Sequence, residues 1–197
     1  MQESKQQQHR GRWKLLAVIL VCAAPIILSY LMYYVVKPEG RTNYGDILDP
    51  RQHPMPELAV TDLEGKPATL KAFEGKWIML NVDGGACDEN CNRQLYEMRQ
   101  LRTAQGKEMN RVERVWLITD DVAVPDQVKT DYEGTHMLRV DADAIKGWLP
   151  VEAGATVKDH IYMIDPLGNL MMRWPKDADP NRMKRDIGKL LRASSIG

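Results

Sequence analysis

The chain is poor in cysteine, in histidine and in net charge, and each shortage narrows what it can be. Twenty-seven Lys/Arg balance 27 Asp/Glu over 197 residues. Once the four cations and one acid of the first 36 residues are set aside, residues 37–197 carry 23 cations against 26 acids, a net of −3. No basic stripe is legible in that order. This argues against nucleic acid as a partner, since phosphate binding needs concentrated positive charge. There is no internal repeat and no low-complexity tract beyond "KQQQH", so repeat architectures are excluded. Three cysteines and four histidines leave few ways to build a thiol or metal site.

Charge is wholly missing from one segment, "LLAVILVCAAPIILSYLMYYVV" (Leu15–Val36). Its 22 residues are enough to cross a hydrocarbon core of about 30 Å. Trp13 stands at one end, and Tyr30, Tyr33 and Tyr34 at the other, as interfacial aromatics do. Lys5, Arg10, Arg12 and Lys14 precede the span against Glu3 alone, whereas Glu39 and Asp46 dilute Lys37 and Arg41 behind it. The positive-inside bias therefore predicts a cytoplasmic tail over 1–14, a lipid-embedded anchor over 15–36 and a periplasmic remainder, as in a single-pass bacterial inner-membrane protein. A cleaved signal peptide would have a shorter apolar region, and "KPEGRTNYGD" offers no small-x-small cleavage pattern. Residues 37–54 read as a tether, rich in Pro and Gly and without a period. Residues 55–197 read as one folded domain.

Within that domain helical and extended patterns alternate. "ELAVTDLEGKPATLKAF" predicts a hairpin, and "KWIMLNVD" a strand covered on both faces. From about Asp88 to Ala104, Cys87, Cys91, Leu95, Met98 and Leu101 recur at helical spacing. "RVERVWLITDD" is a second buried strand, "VPDQVKTDYEG" a short helix, "HMLRVD" a strand and "DADAIKGWLP" another short helix. "HIYMIDPLGNLMMRWP" breaks into a hairpin at Pro-Leu-Gly-Asn. The last helix has Asp179 as N-cap, Pro180 in its first position and an apolar stripe of Met183, Ile187, Leu190 and Leu191. This order predicts an α/β, thioredoxin-like domain whose mixed central sheet is flanked by helices. Met79, Met98, Met163 and Met183 fall at core periodicity and read as gap-fillers.

Cys22 lies in the apolar span and reads as a small packing residue. Only Cys87 and Cys91 remain, in "GGACDENCNR", where a strand gives way to a helix. A helix N-terminus stabilises thiolate, and residues four apart share a face, so the two sulfurs can approach. A disulfide between them strains a regular helix unless the first turn loosens. The same spacing suits two thiolates on one soft metal ion. A structural staple, a redox pair and a partial metal site all remain open, although so short a loop is a poor staple. Asp88 and Glu89 lie between the thiols and oppose thiolate formation. Asp83, just before the Gly-Gly pair, reads equally as a site-lining residue or a turn cap.

The order "VTDLEGKPATLKAFEGKWIMLNV", "CDENC", "LITDDVAVPDQVKTDY" and "HIYMIDPLGNL", behind an N-terminal anchor, resembles the Sco/SenC family. These are thioredoxin-like, membrane-anchored proteins that deliver copper during cytochrome c oxidase assembly. The resemblance runs from about Glu57 to Leu191. It implies that Cys87, Cys91 and His160 hold a copper ion, with His136 as the reserve ligand. Thiolates suit Cu(I) and imidazole also suits Cu(II). It further implies an oxidase subunit or another copper chaperone as partner. Two features depart from the family pattern. Asn92 follows the second cysteine where the family often has proline, and His160 stands only two residues before Tyr162.

Two rival readings use the same scaffold. A general thiol–disulfide oxidoreductase would be the enzyme, although "ATVKDHIYM" lacks the proline that faces a thioredoxin-type pair. The other is a non-catalytic membrane assembly factor. A peroxidase is disfavoured because "NVDGGAC" lacks the Pro and Thr that precede a peroxidatic cysteine.

Overall fold

A computed structural model describes residues 3–36 and 43–196, with side chains from Trp13 to Tyr34 and from Asn43 onward. The chain divides into two units, Met1–Thr42 and Asn43–Gly197. In the first, α1 (Glu3–Leu31) continues into a π turn, Met32–Val36. Trp13–Tyr34 has a mean hydropathy of 2.6 and none of its side chains is buried. A helix apolar on all sides and long enough to cross a bilayer matches lipid rather than a protein core. Residues 37–42 of the expected tether lie outside the described residues.

The second unit is built on an eight-stranded mixed sheet, in the order β1-β8-β7-β4-β5-β6-β2-β3. The parallel centre consists of β4 (Trp77–Asp83), β5 (Val112–Ile118) and β6 (His136–Val140). On one side β7 (Tyr162–Ile164), β8 (Leu170–Arg173) and β1 (Asp46–Ile47) add antiparallel. On the other, β2 (Val60–Thr61) and β3 (Pro67–Ala68) form the expected hairpin. All seven residues of β4 are buried, as its nearly continuous apolar run predicts.

Strand alternation sorts the core into two layers. Met79, Trp116, Ile118 and Met163 face α2 (Glu89–Thr103) and α4 (Pro180–Ala193), meeting Cys91, Leu95, Met98, Met183 and Ile187. Ile78, Leu80, Val82, Leu117 and Tyr162 face the other way, toward Leu70, Ile145 and Trp148. The short α3 (Asp126–Asp131) follows Pro125.

Three expectations change. Residues 43–54 belong to the fold and not to a tether: β1 pairs with β8, Pro54 bridges to Asn169, and the Tyr44 and Gly45 amides both donate to Asp186 Oδ2 at 2.9 Å. The helix expected over "DADAIKGWLP" is a series of turns, with Ala144, Lys146 and Trp148 amides bonding three residues back. Asp141 caps the first of them through Asp143 N at 2.8 Å, and Gly147 breaks the run with a φ of 80°. Finally, the domain does carry a basic face. Arg182, Lys184, Arg185 and Arg192 are all exposed on α4, while its acid, Asp186, is turned inward.

Candidate redox and metal site

The site is built where β4 runs out. After Asp83 the chain turns through Gly84 and Gly85, and the segment following β5 lies directly against that turn. A Cβ on Gly84 would stand 2.3 Å from Asp120 Oδ2, and one on Gly85 only 2.0 Å from the Val122 carbonyl oxygen. Asp120 Oδ1 accepts from the Gly85 and Val122 amides at 2.8 and 3.2 Å, so one carboxylate fastens both segments. Arg139 donates to the carbonyls of Asp120 and Val122 and holds the second segment in place.

Cys87 then adopts a left-handed conformation, φ 48°, which is uncommon for a residue with a Cβ. Asp88 is the N-cap of α2 and accepts from the Cys91 amide at 3.0 Å. Cys87 therefore stands just outside the helix and Cys91 in its first turn. Their Cα atoms are 5.0 Å apart and the two sulfurs are bonded as a disulfide. A bridge between two regular helical positions is avoided, because the left-handed residue supplies the loosened turn. The Asn92 amide group pins this geometry by donating to the carbonyls of Cys87 (2.7 Å) and Asp88 (3.1 Å). Tyr132 OH in turn donates to Asn92 O at 2.9 Å. Asn92 thus has its own work in this chain, at the position where the sequence departs from the resembled family. The pair lies less open than a rim position: Cys91 is fully buried and Cys87 keeps 5% exposure.

A polar network holds the turn that leads to the bridge. Buried Asp83 accepts from the Gly84 amide at 2.7 Å and pairs with Lys158 Nζ at 2.9 Å through Oδ1, while its Oδ2 is buried without a hydrogen-bond partner. Of its two expected roles, the contacts show that of turn cap. Lys158 also ties its own loop to α2, since its carbonyl accepts from Asn90 Nδ2 and Gln94 Nε2, each at 3.0 Å. Gln94 reaches back to buried Asn81 on β4. The hydrogen bond to Asp83 raises the Lys158 ammonium above the usual lysine range, and the carboxylates of Asp83, Asp120 and Asp88 add to the effect. Thr156 and Asp159 close the loop with a reciprocal capping box. The Thr156 amide and the Lys176 ammonium pull Asp159 down to about 2.

His160 is not brought to the sulfurs. It stands two residues before Tyr162 and packs edge-on against that ring, in the layer opposite α2. Both ring nitrogens are engaged: Nδ1–H donates to the Trp174 carbonyl at 2.9 Å and Nε2 accepts from the Glu152 amide at 3.3 Å. Burial pushes its pKa down, against the Trp174 bond, so the neutral ring is favoured. His136 opens β6 beside Glu113 and Phe73, paired in register with Val115, three residues short of Ile118 at the end of β5 that adjoins Asp83. Among the described residues no three His, Cys, Asp or Glu side chains gather as a metal site. Lys158, Asp120 and Gln94 did not stand out in the sequence. Only the Gly84-Gly85 pair signalled, as two residues without side chains after a strand, that another segment comes close.

The model of the "Transmembrane-like, thioredoxin-like, C-terminal domain" matches residues 77–194, more than half of the chain, and that of the "Transmembrane-like, N-terminal domain" matches residues 5–36. The chain belongs to this transmembrane-like, thioredoxin-like family. A Stutzerimonas stutzeri protein whose name carries a copper-binding assignment is 33% identical to this family member over 86 residues, 43% of this chain and 42% of that protein. The chain therefore aligns with under half of that relative's length. Yeast Sco1 with copper bound superposes with a TM-score of 0.60 at 14% identity, covering 72% of this chain and 94% of Sco1. BsSco, a Sco-family cytochrome c oxidase assembly protein in which a disulfide switch is identified, gives 0.55 at 15% identity over 75% and 96%. At these identities the likeness establishes the thioredoxin-like fold of this family member.

Proposed function

We propose that this protein is a membrane-anchored thiol–disulfide protein serving copper handling in cytochrome c oxidase assembly, with Cys87 and Cys91 as its working pair. The observation that carries the reading is the disulfide across the start of α2, in a fold shared with copper-bound Sco1. Residues 1–14 lie in the cytoplasm and the domain in the periplasm, as the charge bias around the anchor favours. The partner is an oxidase subunit or another copper chaperone.

In this reading a partner thiolate attacks the Sγ of Cys87, the residue of the pair that keeps solvent exposure. The Cys87–Cys91 bond breaks, a mixed disulfide forms on Cys87, and Cys91 leaves as a thiolate. Cys91 is suited to leave because it sits in the first turn of α2, where the unpaired amides and the helix dipole favour negative charge. A second thiolate of the partner resolves the mixed disulfide, so the partner is oxidised by two electrons and the pair is reduced. The reduced pair offers two soft sulfur donors one helical turn apart, a set that suits Cu(I) as cargo. His160 is not part of that donor set and acts as a buried support for the loop that carries Lys158.

The test is a Cu(I) titration of the reduced full chain against a chromophoric chelator. About one Cu(I) is expected per chain, as two thiolates of one site would hold. It should be lost in Cys87→Ser/Cys91→Ser and kept in His160→Asn. Unchanged affinity in the double serine variant would overturn the reading. That variant should lose no more than about 2 kcal/mol of stability, because so short a loop removes little chain entropy.

A further inference from the structure

The basic face of α4 is unused by the thiol site, and three observations fix where it stands and what it can meet. The first is its charge. Lys184, Arg185, Lys189 and Arg192 line a groove of about 600 Å³ against Ala104, Gln105 and Glu108. The single carboxylate in that lining, Glu108, is already paired with Arg111 at 2.9 Å. Among the described residues Lys184, Arg185 and Arg192 have no carboxylate partner, in a domain whose overall charge is negative. Lys189 lies 3.6 Å from the buried Asp186.

The second is the point of chain entry. Tyr44 and Gly45 are fastened to α4 through Asp186, Arg182 stacks over the Tyr44 ring at 3.9 Å, and the Asp179 amide donates to Tyr44 OH at 3.2 Å. Lys184 to Arg192 all lie within six residues of Asp186 on the helix, about 9 Å along its axis. The third is chain length. Six residues, 37–42, join the apolar span to Asn43, and six residues reach at most about 20 Å. A linker of that length lets the domain turn this face toward the bilayer that holds α1. Tethering makes docking intramolecular, so even a weak contact is populated.

We propose that the α4 face formed by Lys184, Arg185, Lys189 and Arg192 docks on anionic phospholipid headgroups of the membrane that the N-terminal helix spans. Phosphate oxygens accept from the guanidinium forks and ammonium groups, and the groove gives them a concave seat. Docking orients the domain. Because α4 and Cys87 both lie on the α2 layer of the sheet, it limits from which side a partner reaches the disulfide. An acidic protein segment is the competing occupant, and the experiment separates the two.

The full chain is placed in nanodiscs of phosphatidylcholine alone or with phosphatidylglycerol, and lysine acetylation is followed by mass spectrometry. Lys184 is the reporter, and Lys146, an exposed lysine beside Ile145 in the opposite core layer, is the control. Lys184 should react several-fold more slowly in the anionic discs, with Lys146 unchanged. Protection should vanish in 1 M salt, where the Debye length falls to about 3 Å. It should also vanish in Arg185→Glu/Arg192→Glu, two exposed positions whose change leaves the core intact. Equal Lys184 rates in both discs, or protection that ignores lipid charge and salt, would overturn the proposal. Protection appearing only on addition of an acidic polypeptide would assign the groove to a protein instead.

Discussion

Cys87 shows how much one residue's backbone decides here. Its left-handed φ places it outside α2, and the disulfide closes without distorting the helix. In the proposed thiol chemistry the carboxylates on this turn disfavour thiolate and so favour the bridged form. Asp88 is the most direct of them, bonded to the Cys91 amide. Asp88→Asn keeps a good N-cap and removes the charge. It should raise the reduction potential by on the order of 30 mV, equivalent to about 1.4 kcal/mol, measured by equilibration with a glutathione buffer. Gly85 offers a test of packing at the same turn. A methyl group there meets a backbone oxygen, which cannot rotate away, so Gly85→Ala should cost about 1–3 kcal/mol in a urea unfolding titration.

At the scale of elements, the loop before β7 depends on His160. The neutral ring bonds two backbone groups, and burial holds its folded pKa below the free value. A depressed histidine pKa means that the unfolded chain binds the proton more readily. Its contribution to stability is complete above about pH 6.5, the unperturbed value, and is lost as pH falls from there through the folded pKa. Stability of the disulfide form should therefore drop between pH 7 and 5. His160→Asn should be weaker at pH 8, by about 1–3 kcal/mol for the buried groups left unpaired, and flatter across that range. An unchanged pH slope in the variant would remove His160 from this role.

At the scale of the molecule, the boundary of the folded unit is set by Asp186. This buried carboxylate is satisfied by the Tyr44 and Gly45 amides and by Trp174 Nε1 at 3.4 Å. A chain beginning at Asn43 should fold alone, with the disulfide intact and a cooperative thermal transition. A chain beginning at residue 55 leaves Asp186 without two of its donors and strips β1 from the sheet edge. It should be destabilised by about 3 kcal/mol or more, since each bond to a charged group contributes about 1.5–3 kcal/mol. Equal melting temperatures for the two chains would show that Asp186 does not need these partners.

The amino-acid order by itself determined the long apolar helix, the order of most strands and helices, the mixed sheet and Cys87 and Cys91 as the two thiols of the folded domain. Each of these rests on local periodicity or on which thiols exist at all. The place of His160 was not legible: the resemblance set it beside the two cysteines, whereas the fold packs it against Tyr162 with both ring nitrogens bonded. What the order could not reveal was which distant segments meet. Lys158 reaches Asp83 across 75 positions, Asp186 satisfies Tyr44 across 142, and Asp120 clasps a turn 35 residues earlier. The five cations of α4 face a single acid in the helix, and folding turns that acid, Asp186, inward and leaves the cations toward solvent. Charge and hydrogen-bonding groups act through space, and only the tertiary structure converts residues far apart in the chain into neighbours.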